Sequence, residues 1–262
     1  MDLGLEGTTA VVTGASKGIG LAITRALVAE GVHVVAGSRE QSAELVELAS
    51  EGEVQNVTVD LSTATGPADL VAAALDRGGL DILVNNVGQV SPRTNGFLMV
   101  TDEQWLHSLN LNLLAAVRTT RAALPAMLAA GHGSIVTTSS VNAFLPDPGV
   151  IDYSAAKAAL TNFSKALSKE VGPRGIRLNT ISPGPVATDL WLGSGGVAAA
   201  VGQATGREPE AVARDAADQS VTGRFTLPDE VAALVLVLAS DRASGNVTGS
   251  DFVIDGGLTT QT

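Results

Sequence analysis

The chain has 262 residues and a formal net charge of −11, a length that suits one large α/β domain better than two. So acidic a balance argues against nucleic acid or an anionic membrane as a partner, because both demand a basic surface. There is no cysteine, which excludes disulfides, thiolate catalysis and cysteine zinc sites.

Residues 1–7 lack a basic stretch followed by an apolar one, so no signal peptide is expected. A short β-branched strand follows at 8–13, then a glycine-rich turn and a helix at 19–30 that ends at Gly31. The next elements are a strand at 32–38, a helix at 42–50, a strand at 54–60, a helix at 64–77 and a strand at Ile82–Asn85. Thr101 and Gln104 form a capping box that starts one long helix running to Ala130. A fifth strand at 134–139 leads to a helix at 153–171 and a sixth strand at 177–182. The segment 190–221 breaks this rhythm and reads as short, mobile helices over an active site, a lid. A helix at 228–240, whose apolar run at 231–239 is too short to span a bilayer, and a strand at 252–254 close the chain. This alternation predicts a doubly wound parallel sheet covered on both faces, with ligands at the carboxyl ends of its strands. Residues 1–262 are read as a single domain of a soluble, cytoplasmic protein.

Gly14, Gly18 and Gly20 lie between the first strand and the first helix. Such a turn lets the backbone approach a pyrophosphate and aims helix N–H groups at it. The second strand ends at Ser38 and Arg39, where NAD sites usually place an acid for the ribose 2′-hydroxyl. Arg39, with Lys17 in the turn, suits a 2′-phosphate instead, so NADP(H) is the expected cofactor, ahead of NAD(H). Asp60, ending the third strand, suits an adenine contact or a simple turn cap.

Tyr153 and Lys157 are one helical turn apart. An ammonium beside a phenol lowers its pKa, so Tyr153 is expected to act as acid toward a ketone and as base toward an alcohol. Ser139 and Ser140 both end the fifth strand, where a hydroxyl can hold the substrate oxygen. Nothing physical separates the two. His33, His107 and His132 are scattered, which leaves a Ser–His nucleophile without support and predicts no metal site.

These residues resemble the short-chain dehydrogenase/reductase superfamily over essentially the whole chain. Thr13–Gly20 is similar to its T-G-x-x-x-G-I-G motif, including Ser16 and Ile19. Asn85, Asn86, Val87 and Gly88 resemble its N-N-A-G motif, with Val87 replacing alanine. Trp105 followed by Asn110-Leu111-Asn112 resembles the segment with the family's asparagine, and the spacing selects Asn112. Spacing back from Tyr153 selects Ser140. Pro183, Gly184 and Thr188 resemble the segment that holds the nicotinamide carboxamide, and Asp255-Gly256-Gly257 the C-terminal D-G-G turn. The resemblance implies a Rossmann-fold homotetramer with a catalytic tetrad of Asn112, Ser140, Tyr153 and Lys157. Asn112 would anchor a water in a proton relay, and Lys157 would also bind the nicotinamide ribose. Cofactor contacts would extend to Ser38, Leu61 and Val186, and the tetramer would use the two long helices, 101–130 and 153–171.

The chemistry implied is hydride transfer between NADP(H) and a ketone or secondary alcohol. An alternative is reduction of 3-oxoacyl groups on an acyl carrier protein. Reductases of that kind carry two arginines for the acidic carrier; Arg174 matches one, but Gly131 stands at the other. A redox sensor that binds NADP(H) without turnover is the third reading, opposed by the Tyr–Lys pair. Substrate contacts are expected from Ser140, Asn142, Tyr153 and Trp191. The side chains of Phe97, Phe144, Leu145, Trp191 and Leu192 favour an apolar carbonyl substrate.

Overall fold

The structure, a computed structural model, describes residues 1–50 and 52–260. Glu51, Gln261 and Thr262, which the predicted domain span includes, lie outside the described residues. Seven parallel strands form one sheet in the order β3-β2-β1-β4-β5-β6-β7. They are β1 (Thr9–Thr13), β2 (His33–Ser38), β3 (Val54–Thr58), β4 (Ile82–Asn85), β5 (Gly133–Thr138), β6 (Ile176–Pro183) and β7 (Asp251–Ile254). The central strands are buried along their whole length, as their near-continuous apolar runs require in a sheet covered on both sides. Strand order reverses between β1 and β4, which opens a crevice at their carboxyl ends.

Two apolar layers sandwich the sheet. On one face, α1 (Gly18–Ala29) and α10 (Pro228–Ala239) pack together through Ile23, Leu27, Val231 and Val235. On the other, α3 (Gly66–Leu75) and α5 (Ala115–Ala130) enclose Leu70, Val71, Ala123 and Met127. Helix α6 (Ile151–Val171) lies beside β6 on the same face as α5. The remaining helices are α2 (Ala43–Ser50), α4 (Asp102–Leu109), α7 (Asp189–Leu192), α8 (Val197–Thr205), α9 (Pro209–Asp218) and α11 (Asp241–Ser244).

The predicted long helix is continuous from Asp102 to Ala130, and both hydrogen bonds of the Thr101–Gln104 capping box are present. By length and hydropathy this helix could cross a bilayer. Here Ala115, Ala123 and Met127 pack on α3 and the sheet, while Leu106 and Leu114 are exposed. It is not uniform: residues Asn110–Leu114 form one π-helical turn, a distortion common at functional sites. Strand β3 stops at Thr58, two residues short of the predicted end, because Asp60 turns the chain onto Ser62. The segment 190–221 does fold as short helices, α7 to α9. Two of its glycines are required by close packing. A β-carbon on Gly193 would lie 2.6 Å from the Asp189 carbonyl oxygen, and one on Gly196 would lie 2.7 Å from the same atom. Both positions therefore demand glycine for close packing.

Candidate active site

Every predicted site residue except those of the lid lies at or just beyond the carboxyl ends of the strands. Thr13 is the hub. Its hydroxyl donates to the Val84 carbonyl at 3.2 Å and accepts from the Asn86 and Val87 amides at 2.8 and 3.0 Å. The Asn86 side chain donates to the Thr13 carbonyl at 3.1 Å, while the Asn85 side chain donates to Thr120 on α5 at 3.0 Å. The paired asparagines thus tie β4 to β1 on one side and to α5 on the other.

The glycine turn fits a dinucleotide pyrophosphate. Gly14 and Gly18 have φ of 68° and 55°, conformations that favour glycine. A β-carbon on Gly20 would lie 2.1 Å from the Gly14 carbonyl oxygen and 2.6 Å from the Asn86 amide nitrogen. The turn therefore closes only without side chains, leaving the first N–H groups of α1 free to bind an anion. Thr188 packs against Gly18, 3.2 Å from where its β-carbon would be, so the 183–188 segment adjoins the same turn. Ser16 and Ile19 are half-buried in the turn, and Leu61 is buried beside it in sequence from Asp60. Val186 is held by a bridge to Thr226.

Lys17 and Arg39 are exposed, and neither has an ion-pair partner among the described residues. The Ser38 hydroxyl is taken up by the Glu40 carbonyl at 2.8 Å. Asp60 accepts from both the amide and the hydroxyl of Ser62, at 2.9 and 2.7 Å, and these bonds hold its carboxyl below the usual carboxylate range, with Arg39 adding a smaller pull. Its turn-capping role is thus filled, while it remains exposed.

Asn112, Ser140, Tyr153 and Lys157 come from three separate elements. The π turn aims Asn112 inward, where its side chain pairs with the backbone of Gln89 in both directions, each bond 2.9 Å. Asn110 points elsewhere, donating to the Ser62 carbonyl at 2.7 Å. Gly88 lies between the Asn112 side chain and Lys157: a β-carbon there would be 3.0 Å from Asn112 Oδ1 and 3.5 Å from Lys157 Nζ. Lys157 is 3% exposed, and its ammonium donates to the Thr138 carbonyl at 2.8 Å.

The two serines part company. The Ser139 hydroxyl hydrogen-bonds Thr161 of α6 at 2.6 Å, whereas the Ser140 hydroxyl accepts from the Asn142 amide at 3.2 Å and lies beside the Tyr153 phenol. Asn142 also reaches Ser154 at 3.4 Å. Trp191 is half-buried and meets the Phe225 ring edge-on, with centroids 5.5 Å apart.

The electrostatics differ from the sequence-based expectation. Burial pushes the Tyr153 phenol above its ordinary value; Ser140 opposes this, and Lys157 is not among the causes. The Lys157 ammonium sits 5.7 Å from the centre of the Tyr153 ring and is committed to Thr138. Burial also lowers Lys157 itself to about 8. In the free protein the phenol therefore carries its proton at neutral pH, the form that can donate to a carbonyl oxygen.

One arrangement was invisible in the sequence. Arg93 forms a two-pronged ion pair with Asp152, Nε to Oδ1 at 3.2 Å and Nη2 to Oδ2 at 2.5 Å. The two side chains are 12% and 2% exposed. A small cavity beside them is lined mainly by polar groups, among them Gln89, Ser91, His107 and Asn112. The pair spans 59 positions, so no local spacing could announce it. Among the described residues no three His, Asp or Glu side chains cluster so as to hold a metal ion.

Comparison with known proteins identifies the family. A family model described as enoyl-(acyl carrier protein) reductase matches residues 14–259. The chain belongs to the short-chain dehydrogenase/reductase superfamily. This superfamily member is an oxidoreductase and is 34% identical over 259 residues to a 3-oxoacyl-[acyl-carrier-protein] reductase of Thermotoga maritima, covering 97% of this chain and 98% of that one. It is also 34% identical to human dehydrogenase/reductase SDR family member 4, over 97% of this chain and 88% of the relative. Among solved structures, the L-sorbose reductase of Gluconobacter frateurii complexed with NADPH and L-sorbose superposes with a TM-score of 0.90, 35% identity and full coverage of both chains.

Proposed function

We propose that the protein is an NADP(H)-dependent reductase of ketones, running in reverse as a secondary-alcohol dehydrogenase. The observation that carries this reading is the convergence of Asn112, Ser140, Tyr153 and Lys157, next to a glycine turn and two cations that have no ion-pair partner among the described residues. Gly14, Gly18, Gly20 and the start of α1 would hold the pyrophosphate, Lys17 and Arg39 the 2′-phosphate, Asp60, Leu61 and Val87 the adenosine, and Lys157, Pro183, Gly184, Val186 and Thr188 the nicotinamide end. The bound cofactor would supply the hydride for the carbonyl carbon.

The chain's own residues supply the rest. Ser140 donates a hydrogen bond that orients the substrate oxygen, and Tyr153 gives that oxygen its proton. The raised phenol pKa favours the acid role at neutral pH; the base role in alcohol oxidation calls for higher pH. Lys157, at about 8, is mostly ammonium at pH 7 and would bind the nicotinamide ribose. Asn142 and Trp191 would border the substrate, with residues 190–221 as the lid. The tetramer would form through the continuous helix α4–α5 and through α6 in the cytoplasm, and light scattering of the purified protein reports its size.

The test is NADPH oxidation against apolar ketones, hydroxylated ketones and 3-oxoacyl thioesters. Hydroxylated ketones belong in the panel because of the likeness to an L-sorbose reductase. Tyr153→Phe should abolish turnover with NADPH binding nearly unchanged; retained turnover would overturn the reading. Reduction of 3-oxoacyl groups on a carrier protein is the second reading, favoured by the Thermotoga relative. Arg174 is exposed just after α6, as carrier docking needs. Gly131, at the other docking position, has φ 76° at the end of α5, a backbone that disfavours an arginine there.

A further inference from the structure

Residues 89–93 cross the front of the site between β4 and α4, and two anchors hold them. At one end the Gln89 backbone pairs with the Asn112 side chain. At the other, the Arg93 amide donates to the Gly149 carbonyl at 2.6 Å and the guanidinium grips Asp152. Between the anchors Val90, Ser91 and Pro92 make no hydrogen bond with any described residue. Asp152 stands in the first turn of α6, immediately before Tyr153, and accepts hydrogen bonds from Arg93 alone among the described residues. Such a nearly buried carboxylate is costly without its partner, and the planar fork of arginine fixes orientation as well as charge.

We propose that Arg93 and Asp152 are positioning residues: their fork clamps residues 89–93 across the site and so sets Asn112, at one end, relative to Tyr153, at the other. Neither side chain needs to touch the substrate to do this. The proposal rests on the reading of Tyr153 as the proton-transfer group. A displacement of about 1 Å in a reacting constellation costs on the order of a hundredfold in rate, so loss of the clamp should appear in kcat. The cofactor turn at Gly14–Gly20 lies on other strands and should not sense it.

The experiment compares Arg93→Gln, Arg93→Lys and Asp152→Asn with Leu238→Ala. Leu238 is buried near the amino end of the sheet, where its carbonyl accepts from Ser134 at the start of β5, so its truncation destabilises the fold far from the site. Arg93→Gln is expected to lower kcat for ketone reduction roughly 10- to 100-fold, while NADPH affinity, read by fluorescence of the bound reduced cofactor, stays unchanged. Arg93→Lys keeps the charge without the fork and should recover part of kcat. Hydrogen exchange at the Gln89 amide should accelerate in Arg93→Gln and Asp152→Asn even without cofactor. Leu238→Ala should lower Tm with kcat and Gln89 exchange intact. Unchanged kcat in Arg93→Gln, unchanged exchange at Gln89, or an equal kcat loss in Leu238→Ala would each overturn the clamp. Should Arg93→Gln fail to fold, Arg93→Lys and Asp152→Asn carry the same readouts. A wild-type enzyme inert toward every carbonyl would instead defeat the reading of Tyr153, and the exchange measurement would still judge the clamp.

Discussion

Lys157 offers a direct test of the physics of this site, because a buried ammonium should cost stability in the free protein. Its ordinary value of 10.5 falls to about 8 through burial. At about 1.4 kcal/mol per tenfold change in proton affinity, keeping the charge at pH 7 costs the fold about 3 kcal/mol. Replacing lysine by the similar-sized apolar methionine removes that cost. It also removes the ammonium's hydrogen bond to the Thr138 carbonyl, worth roughly 2 kcal/mol because the donor is charged. Lys157→Met should therefore be more stable than the parent by about 1 kcal/mol at pH 7 while losing its activity. The sign of the pH dependence follows from proton counts. Between about 8 and 10.5 the unfolded chain holds the Lys157 proton and the folded chain does not. Parental stability thus gains on the variant as pH rises through that window, and the penalty is complete below it. Urea denaturation of the cofactor-free proteins, at one fixed protein concentration and at pH 7 and 10, measures both quantities. The gap should close or reverse by pH 10. A variant less stable than the parent at pH 7, or a gap that ignores pH, would refute the account of Lys157 as a destabilising charge retained for function.

The other predictions concern cofactor choice, the serines and the lid. Arg39→Asp should lower kcat/KM for NADPH by about tenfold or more and improve NADH use; steady-state kinetics with both cofactors decide, and equal preference in the native enzyme would contradict the role given to Lys17 and Arg39. Ser140→Ala should reduce kcat on the order of a hundredfold, whereas Ser139→Ala should mainly cost about 1 kcal/mol of stability by breaking its bond to Thr161; the reverse ranking would place the substrate oxygen at the wrong serine. Trp191→Ala should alter substrate KM far more than NADPH affinity, and residues 190–221 should gain hydrogen-exchange protection when NADPH and a substrate analogue are added. If Trp191→Ala is silent for every accepted substrate, its contact with Phe225 is the side chain's whole purpose.

Much of the architecture was legible in the linear order of residues because the determinants are local. β-Branched runs alternating with helical stretches imply a parallel sheet, a capping box marks the start of α4, and a glycine turn after the first strand marks an anion site wherever the sheet places it. Tyr153 and Lys157 are one helical turn apart, so their proximity needs no tertiary information. The distinction between Ser139 and Ser140 does need it on physical grounds: adjacent residues beyond β5 face opposite ways, and only the packing of α6 decides which hydroxyl meets Thr161 and which meets Tyr153. The same holds for Asn110 and Asn112, which the π turn sends to Ser62 and to Gln89. Protonation states lie further still from the sequence. Spacing suggests an ammonium lowering a phenol, but in the fold Lys157 turns to Thr138 and burial raises Tyr153. The Arg93–Asp152 pair joins a loop to a helix across 59 positions. Contacts of that kind exist only once the sheet has gathered its carboxyl ends, because desolvation and long-range pairing are properties of the enclosed site and not of any segment that contributes to it.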